Sequence, residues 1–313
     1  MTAPQLDVSI VVTTFERPHQ LPRLLEALAA QHYPRDRFEV IVVNDGGPTP
    51  LDPVLALFTT RLNLRLLRQA HAGPAVGRNT GLAEARGRYV AFTDDDCAPD
   101  PRWLSELKRT LDAWPQAMAG GRVENGEKRR LCSEASQLIT EIVYHFYNAD
   151  PRDARFFTSN NMAAPANLLR ALGGFDPRFH TAEDRDLCER WRQAGLRMVF
   201  TSDAVVRHHR VLNLQGFCGQ HFAYGRGAAL FHRLRSARGS SRFREHTAFH
   251  LACLSWPGLA WSKAPGLRAA PMAALLVLWQ AANAAGFLAG RLSGAARWNQ
   301  AGEPKPDRLA PRA

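Results

Sequence analysis

The sequence predicts an α/β fold: a mixed, mainly parallel sheet flanked by helices, followed by a C-terminal helical extension. Three observations predict it. Short apolar, β-branched runs alternate with amphipathic helical patterns from Val8 to Arg207. The segments that follow the strand-like runs are rich in acids, amides and glycine, so in a parallel sheet they converge on one edge. Beyond His209 the composition turns to long helical stretches rich in Gly, Ala, His and aromatic residues.

The elements follow in order. Val8-Ser-Ile-Val-Val12 reads as a buried strand, and Pro18 to Gln31 as a helix with Leu21, Leu24, Leu25 and Leu28 on one face. Phe38 to Val43 is a second strand, closed by Asn44-Asp-Gly-Gly47, and Leu62 to Leu67 a third. Ala75 to Ala85 is a helix leading through Arg86-Gly87 into the strand Tyr89-Val-Ala-Phe-Thr93, which ends in Asp94-Asp95-Asp96. Pro101 to Trp114 is helical, Met118 to Val123 a strand, and Ser133 to Tyr147 a helix ending at the turn Asn148 to Arg152. Thr158 to Ala164 is a strand or loop entering a helix from Pro165 to Leu172. A turn at Gly173 to Asp176 follows, then an acid-led helix from Asp184 to Ala194, stopped by Gly195. Met198 to Thr201 and Ala204 to Arg207 complete the sheet as two short strands. Leu214 to Arg235 is one long helix, and a basic linker from Arg238 to Arg244 precedes an apolar tail. Residues 1–212 are expected to form one domain and 213–313 the helical extension.

The 40 Lys and Arg against 29 Asp and Glu give a net charge of +11, which favours anionic partners such as nucleotide phosphates or acidic lipid headgroups. The arginines are dispersed while the acids gather at loop ends, so nucleic acid is not the expected partner. Five cysteines, odd in number and without a Cys-x-x-Cys pair, argue against a disulfide framework or a zinc site and for a reducing cytosol. The apolar run at Val8 to Val12 is too short for a secretory signal, so the fold is expected to begin directly. Residues 269–290 carry no charge and approach the roughly 20 residues that cross a bilayer. Gln280, Asn283 and Pro271 weaken a span, leaving a membrane-associated helix, bracketed by Arg268 and Arg291, and a buried helical hairpin both open.

Three consecutive carboxylates at the end of an apolar strand call for a cation, and hard oxygen ligands there suit Mg²⁺ or Mn²⁺ bridging to phosphates. The acidic turn that caps a following helix is the simpler alternative. Against it stand four segments in fixed order: Val8 to Pro18; Phe38 to Gly47; Gly77-Arg-Asn-Thr-Gly81 with Ala85 to Asp96; and Gly173-Gly-Phe-Asp176 followed by Glu183 to Trp191. Together these resemble family 2 glycosyltransferases, over about two-thirds of the chain. The resemblance implies a GT-A type, Rossmann-like fold and an inverting, metal-dependent enzyme. It would move a sugar from a nucleotide-diphospho-sugar, UDP- or dTDP-linked, to a hydroxyl of a saccharide, lipid-linked or peptide acceptor.

On that resemblance Asp96 is the direct ligand for Mn²⁺ or Mg²⁺, Asp94 supports it, and His208 rather than His209 completes the site. Asp95 alternates to the other strand face, where it holds a ribose hydroxyl or a backbone group. Thr14, Glu16, Asp45, Arg78 and Asn79 complete the donor-binding set: Asp45 takes a base N–H, Arg78 neutralises phosphate and Asn79 holds a sugar or a loop. Glu16 stands where the family often has asparagine. Asp184, with Glu183 as substitute, is the base that removes the acceptor's proton on the face opposite the leaving diphosphate. Asn160 and Asn161 are the acceptor-side amides, and Tyr224-Gly-Arg-Gly227 either sets Arg226 on phosphate or lets helices pack closely.

The rivals fail on spacing. A P-loop needs Gly-x4-Gly-Lys-Ser/Thr, and Gly121 to Gly126 is followed by Glu127. No Gly-x-Gly-x-x-Gly follows the first strand, which removes a dinucleotide-binding dehydrogenase. A non-catalytic protein binding anionic ligands or a membrane surface on the same fold is the remaining alternative. The expected location is cytoplasmic, at or anchored to the cytoplasmic face of the inner membrane, with polysaccharide or cell-envelope biosynthesis as its setting.

Overall fold

The structure, a computed structural model, describes residues 6–127, 130–239, 249 and 268–298, with side chains to 293. In chain order the elements are β1 (Val8–Thr14), α1 (Leu21–Ala29), a 3-10 turn (Arg35–Arg37), β2 (Phe38–Asn44), α2 (Asp52–Ala56) and β3 (Leu64–Arg68). There follow α3 (Pro74–Glu84), β4 (Tyr89–Asp94), β5 (Cys97–Pro99), α4 (Trp103–Ala113), β6 (Met118–Asn125) and α5 (Leu131–Tyr147). β7 (Met162–Pro165), α6 (Ala166–Ala171), α7 (Glu183–Gln193), β8 (Met198–His208), α8 (Leu214–Ala237) and α9 (Ala269–Trp298) complete the chain.

One eight-stranded sheet runs in the order β3-β2-β1-β4-β7-β6-β8-β5. The pairs β1–β2, β1–β4, β2–β3 and β6–β8 are parallel, whereas β7 runs antiparallel to both β4 and β6, and β5 antiparallel to β8. Every residue of β2 and nearly all of β1 and β4 are buried, as parallel strands covered on both faces must be. Leu21, Leu24, Leu25 and Leu28 of α1 pack on one face with Trp103, Leu104, Leu107 and Leu111 of α4. Phe157, Phe175, Leu187 and Trp191 fill the other. A third cluster joins Leu138, Ile139 and Ile142 of α5 to Phe217 of α8 and to Met272, Leu276 and Trp279 of α9.

Three elements differ from the sequence reading. The two short strands expected at Met198 to Thr201 and Ala204 to Arg207 are one strand, β8, whose pairing to β6 jumps from Gly121↔Thr201 to Arg122↔Val205. The extra residues form a bulge, which bends the strand without ending it. The single turn α2 and the three-residue β5 were not legible, since neither is long enough to show a period. The basic linker beyond Gly239 lies outside the described residues.

The apolar tail packs along α8, and the two helices run in the same direction rather than as the hairpin left open above: His221 meets Trp279, Phe222 meets Gly286 and Arg226 meets Gly290. A Cβ on Gly225 would collide with the Asn283 carbonyl, one on Gly286 with the Phe222 carbonyl, and one on Gly290 with Ala229 and Arg226. The two backbones therefore approach to a distance that only glycine permits. Most residues from Ala269 to Ser293 are not buried, and Val277, Leu288 and Leu292 face outward.

Candidate active site

The strand order turns back at β1, with β2 and β3 on one side and β4 on the other. Open α/β sheets present a crevice at such a reversal, beyond the carboxyl ends of the strands. Parallel register sets what lines it: Thr14 lies beside Asn44, and Thr13 beside Asp94. The loops after β1, β2 and β4 therefore meet.

Asp95 is fully buried there. Thr14 donates its hydroxyl to Asp95 Oδ2 at 2.7 Å across the reversal, and Arg17 Nη2 stands 2.9 Å from Oδ1, close in charge though not aligned as a hydrogen bond. Burial pushes the Asp95 carboxyl up to about 7 despite Arg17 and Thr14. The sequence reading gives both Thr14 and Asp95 to the donor; the structure spends the Thr14 hydroxyl on Asp95 and sets Asp95 under Arg17.

Asp96 faces the other way along the edge. Its Oδ1 is 3.1 Å from His208 Nε2, and its Oδ2 is 3.3 Å from Arg17 Nη1. Burial opposes the charge on Asp96, but the His208 and Arg17 contacts outweigh it and hold the carboxyl below its usual range. Cys97 pairs with His208 across β5 and β8, and the His209 amide donates to the Asp96 carbonyl at 2.7 Å. Backbone pairing therefore fixes the set in which Asp96, Cys97 and His208 each bring one ligand atom within 4.8 Å of the others. Carboxylate and imidazole donors at this spacing fit a first-row divalent ion, with the Cys97 sulfur 3.9 Å from Asp96 Oδ1 as a softer neighbour. His209 instead lies 3.2 Å from Glu127, so of the two histidines only His208 faces the acids.

Asp94, read from the sequence as a supporting ligand, is not in that cluster. Its Oδ1 accepts from Arg78 Nη2 at 2.9 Å, while Arg78 Nη1 donates to Glu183 Oε1 at 2.8 Å. Arg78 is buried over the Phe175 ring. Burial works against its charge, and Asp94 and Glu183 more than restore it, raising its pKa. The guanidinium expected on phosphate is thus a buried bridge between the two acidic segments. Of the two readings of its neighbour Asn79, sugar or loop, the contacts are those of the loop: Nδ2 donates to the Phe175 carbonyl at 2.7 Å and Oδ1 accepts from the Phe175 amide at 2.8 Å, so both ends of the amide pin α3 to the Gly173–Asp176 turn.

Glu183 and Asp184 open α7 behind Ala182, which adopts the left-handed φ of 69° and so aims the helix start into the crevice. Asp184 is half-buried; burial first and Glu183 second push its carboxyl up to about 7. A carboxylate with that affinity is suited to accept and release a proton near neutrality.

Asp45 follows β2 with three donors on its two oxygens. Gln69 Nε2 (2.6 Å) and the Ala72 amide (2.9 Å) meet Oδ1, and the Gly73 amide (2.9 Å) meets Oδ2, while His71 Nδ1, 3.0 Å from Oδ2, is hydrogen-bonded to the Asp45 carbonyl at 3.1 Å. This carboxylate folds the Gln69–Gly73 loop, and a base N–H would have to compete with these contacts. The Asx-type contact belongs to Asn44, which accepts from the Gly47 amide at 2.9 Å. The Phe15 and His71 rings stack beside it at 4.0 Å. Glu16 is exposed and holds φ at 56°, a conformation that asparagine tolerates better than glutamate.

On the acceptor side, Asn161 is fully used: Oδ1 accepts from Trp103 Nε1 at 2.8 Å, and Nδ2 donates to the Arg122 and Ala204 carbonyls at 2.9 Å each. It holds the sheet together and is not available to substrate. Asn160 accepts from Thr158 Oγ1 at 2.7 Å. Of Tyr224-Gly-Arg-Gly227, the glycines serve packing. Sequence reasoning missed Arg17, one arginine among many until the fold brings it over Asp95 and Asp96, and Cys97, which reads as an isolated thiol.

A family model described as glycosyl transferase family 2 matches residues 9–170, and one described as glycosyl transferase family group 2 matches residues 91–289. Among curated relatives, the pre-mycofactocin glycosyltransferase of Mycobacterium tuberculosis is 28% identical over 228 residues, 71% of this chain and 47% of that protein. Glycosyltransferase AglE of Haloferax volcanii is 25% identical over 216 residues, 66% of this chain and 68% of that protein. The matched region is thus about half the length of the mycobacterial relative, 47%. Among solved structures, the mannosyltransferase PcManGT of Pyrobaculum calidifontis, in complex with GDP-Man and Mn²⁺, aligns with a TM-score of 0.63 at 20% identity, over 95% of this chain and 89% of that one. S. aureus TarS 1–349 aligns at 0.58 and 17% identity, over 93% and 92%. At these identities the structural matches establish a shared fold.

Proposed function

The chain belongs to glycosyltransferase family 2, and from that premise we propose that it is a metal-dependent inverting glycosyltransferase. It takes a sugar from a nucleotide-diphospho-sugar, UDP- or dTDP-linked, and passes it to a hydroxyl of a saccharide, lipid-linked or peptide acceptor. The observation that carries the reading is Arg78: one buried guanidinium, 2.9 Å from Asp94 and 2.8 Å from Glu183, joins the acidic strand end to the acidic helix start. A donor lying along the first and an acceptor held by the second meet between them.

Asp96 and His208, with Cys97 beneath, would hold Mn²⁺ or Mg²⁺, whose charge neutralises the diphosphate as it leaves. Arg17 and Thr14 keep Asp95 in place below the donor. The nucleobase lies at the end of β2, against the stacked Phe15 and His71 rings beside Asp45. Asp184 removes the acceptor's hydroxyl proton; the oxygen forms its bond to the anomeric carbon while the bond to the diphosphate oxygen breaks on the opposite face, inverting the centre. Asp94 and Glu183 hold Arg78 between the two halves.

A panel of nucleotide-sugars with Mn²⁺, scored by bound nucleotide and released nucleoside diphosphate, tests this. The expected result is donor binding that Asp96→Ala abolishes and Asp184→Asn preserves, with transfer lost in both. Failure of every nucleotide to bind wild-type protein would leave the non-catalytic, anion-binding reading in its place.

A further inference from the structure

Three residues at the mouth of the crevice have no part in that mechanism. Tyr224 of α8 is 40% exposed, an unusual state for an aromatic beside a buried cluster. Its neighbour His221 is 1% exposed, and neither ring nitrogen has a hydrogen-bond partner among the described residues. Arg210, in the loop after β8, is exposed and lines a polar recess with His208, Asn125 and the Ser133, Ser136 and Gln137 face of α5; no ion pair to its side chain is found among the described residues.

The seat of α8 puts Tyr224 and His221 on the side of the base, while Arg210, two residues beyond His208, lies within charge reach of both rings and of Asp96. The Thr181 hydroxyl donates to the Ala223 carbonyl at 2.9 Å, and a Cβ on Gly227 would collide with Thr181. The helix that carries Tyr224 is therefore seated on the segment that leads into Glu183 and Asp184. The rings of His221 and Tyr224 meet edge to face at 5.7 Å, backed by Phe217 at 4.4 Å and Trp279 at 6.2 Å from His221.

We infer that Tyr224, His221 and Arg210 form an acceptor subsite that seats a saccharide ring on the face of Tyr224, with an acidic substituent of that ring against Arg210. The inference rests on the transferase reading above. Aromatic faces accept the C–H side of a sugar ring, and a guanidinium without a carboxylate partner accepts an anion. A buried imidazole left unpaired carries one unmet donor and one unmet acceptor, each of which a sugar hydroxyl can satisfy. Burial, with Arg210 next, pulls His221 down to about 4, so it is neutral near pH 7. Burial also raises the Tyr224 hydroxyl, against Arg210 and with Asp184, Glu183 and Asp94, so these charges all lie within electrostatic reach of the ring.

Saturation-transfer NMR on the full chain with UDP and Mn²⁺, using methyl β-glucuronide and methyl β-glucoside as probes, decides the matter. Transfer to the glucuronide ring protons is expected, weakened about tenfold in affinity by Tyr224→Ala and kept by Tyr224→Phe. Arg210→Ala should bring the glucuronide down to the level of the glucoside while UDP affinity stays within about twofold. Binding that survives Tyr224→Ala, or no transfer to either glycoside in the wild type, overturns the subsite. An Arg210→Ala variant that loses UDP and not glucuronide assigns that cation to the donor and overturns the acidic preference. Failure of the wild type to bind any nucleotide counts instead against the transferase reading, and the UDP measurement separates the two.

Discussion

Removing the Arg78 guanidinium would leave Glu183 enclosed without its cation and Asp94 facing it uncompensated. Loss of one partner of a buried charge pair costs about 3–5 kcal/mol, so Arg78→Met should lower unfolding free energy by that amount in urea titration. Asp184 behaves in the opposite sense. Its folded pKa, about 7, lies above the ordinary aspartate value of 3.8, so the folded state holds an extra proton between those values. The stability this contributes is complete below the lower value and is lost as pH rises through the upper one. Asp184→Asn should therefore melt above wild type at pH 8 and lose that advantage at pH 5, while wild-type kcat/KM rises with pH up to about 7 and then levels. Glu16, at a φ of 56°, makes a smaller forecast: Glu16→Asn should stabilise by about 0.5–1 kcal/mol in the same urea titration. At this scale the sequence made Asp96, His208 and Asp184 legible as chemistry-bearing residue types. It could not separate them from Asn79 or Asn161, because an amide's two ends are assigned only when the fold supplies their partners.

Among elements, those with a clear period were readable and those without were not. β1, β2 and β4 announce themselves as unbroken apolar runs, and α1 as leucines spaced along one face. β5 is three residues long, and its existence depends on β8 arriving beside it. The α8–α9 pair depends on close backbone approach in the same way. Gly286 faces the Phe222 carbonyl with no room for a side chain, so Gly286→Leu should force the helices apart. The expected cost is about 1–3 kcal/mol, seen as a fall in melting temperature, with a matched change at exposed Leu288 close to neutral.

At the scale of the whole molecule, a net charge of +11 and a long helix with outward Val277, Leu288 and Leu292 suit an anionic bilayer surface. Flotation with vesicles of phosphatidylglycerol should carry the protein upward at low salt and release much of it at high salt; vesicles of phosphatidylcholine should retain little. The sequence by itself determined the α/β class, the order of strands and helices, and the gathering of acids at the ends of predicted strands. Period and composition are local properties, and these features need nothing more. Which acids face one another was decided by tertiary structure alone. Strand order brings Thr14 to Asp95, the bulged β8 delivers His208 to Asp96, and α3 inserts Arg78 between Asp94 and Glu183. A carboxylate's partner and proton affinity depend on what lies within a few ångströms, and across 105 positions of chain, from Arg78 to Glu183, only the fold sets that distance.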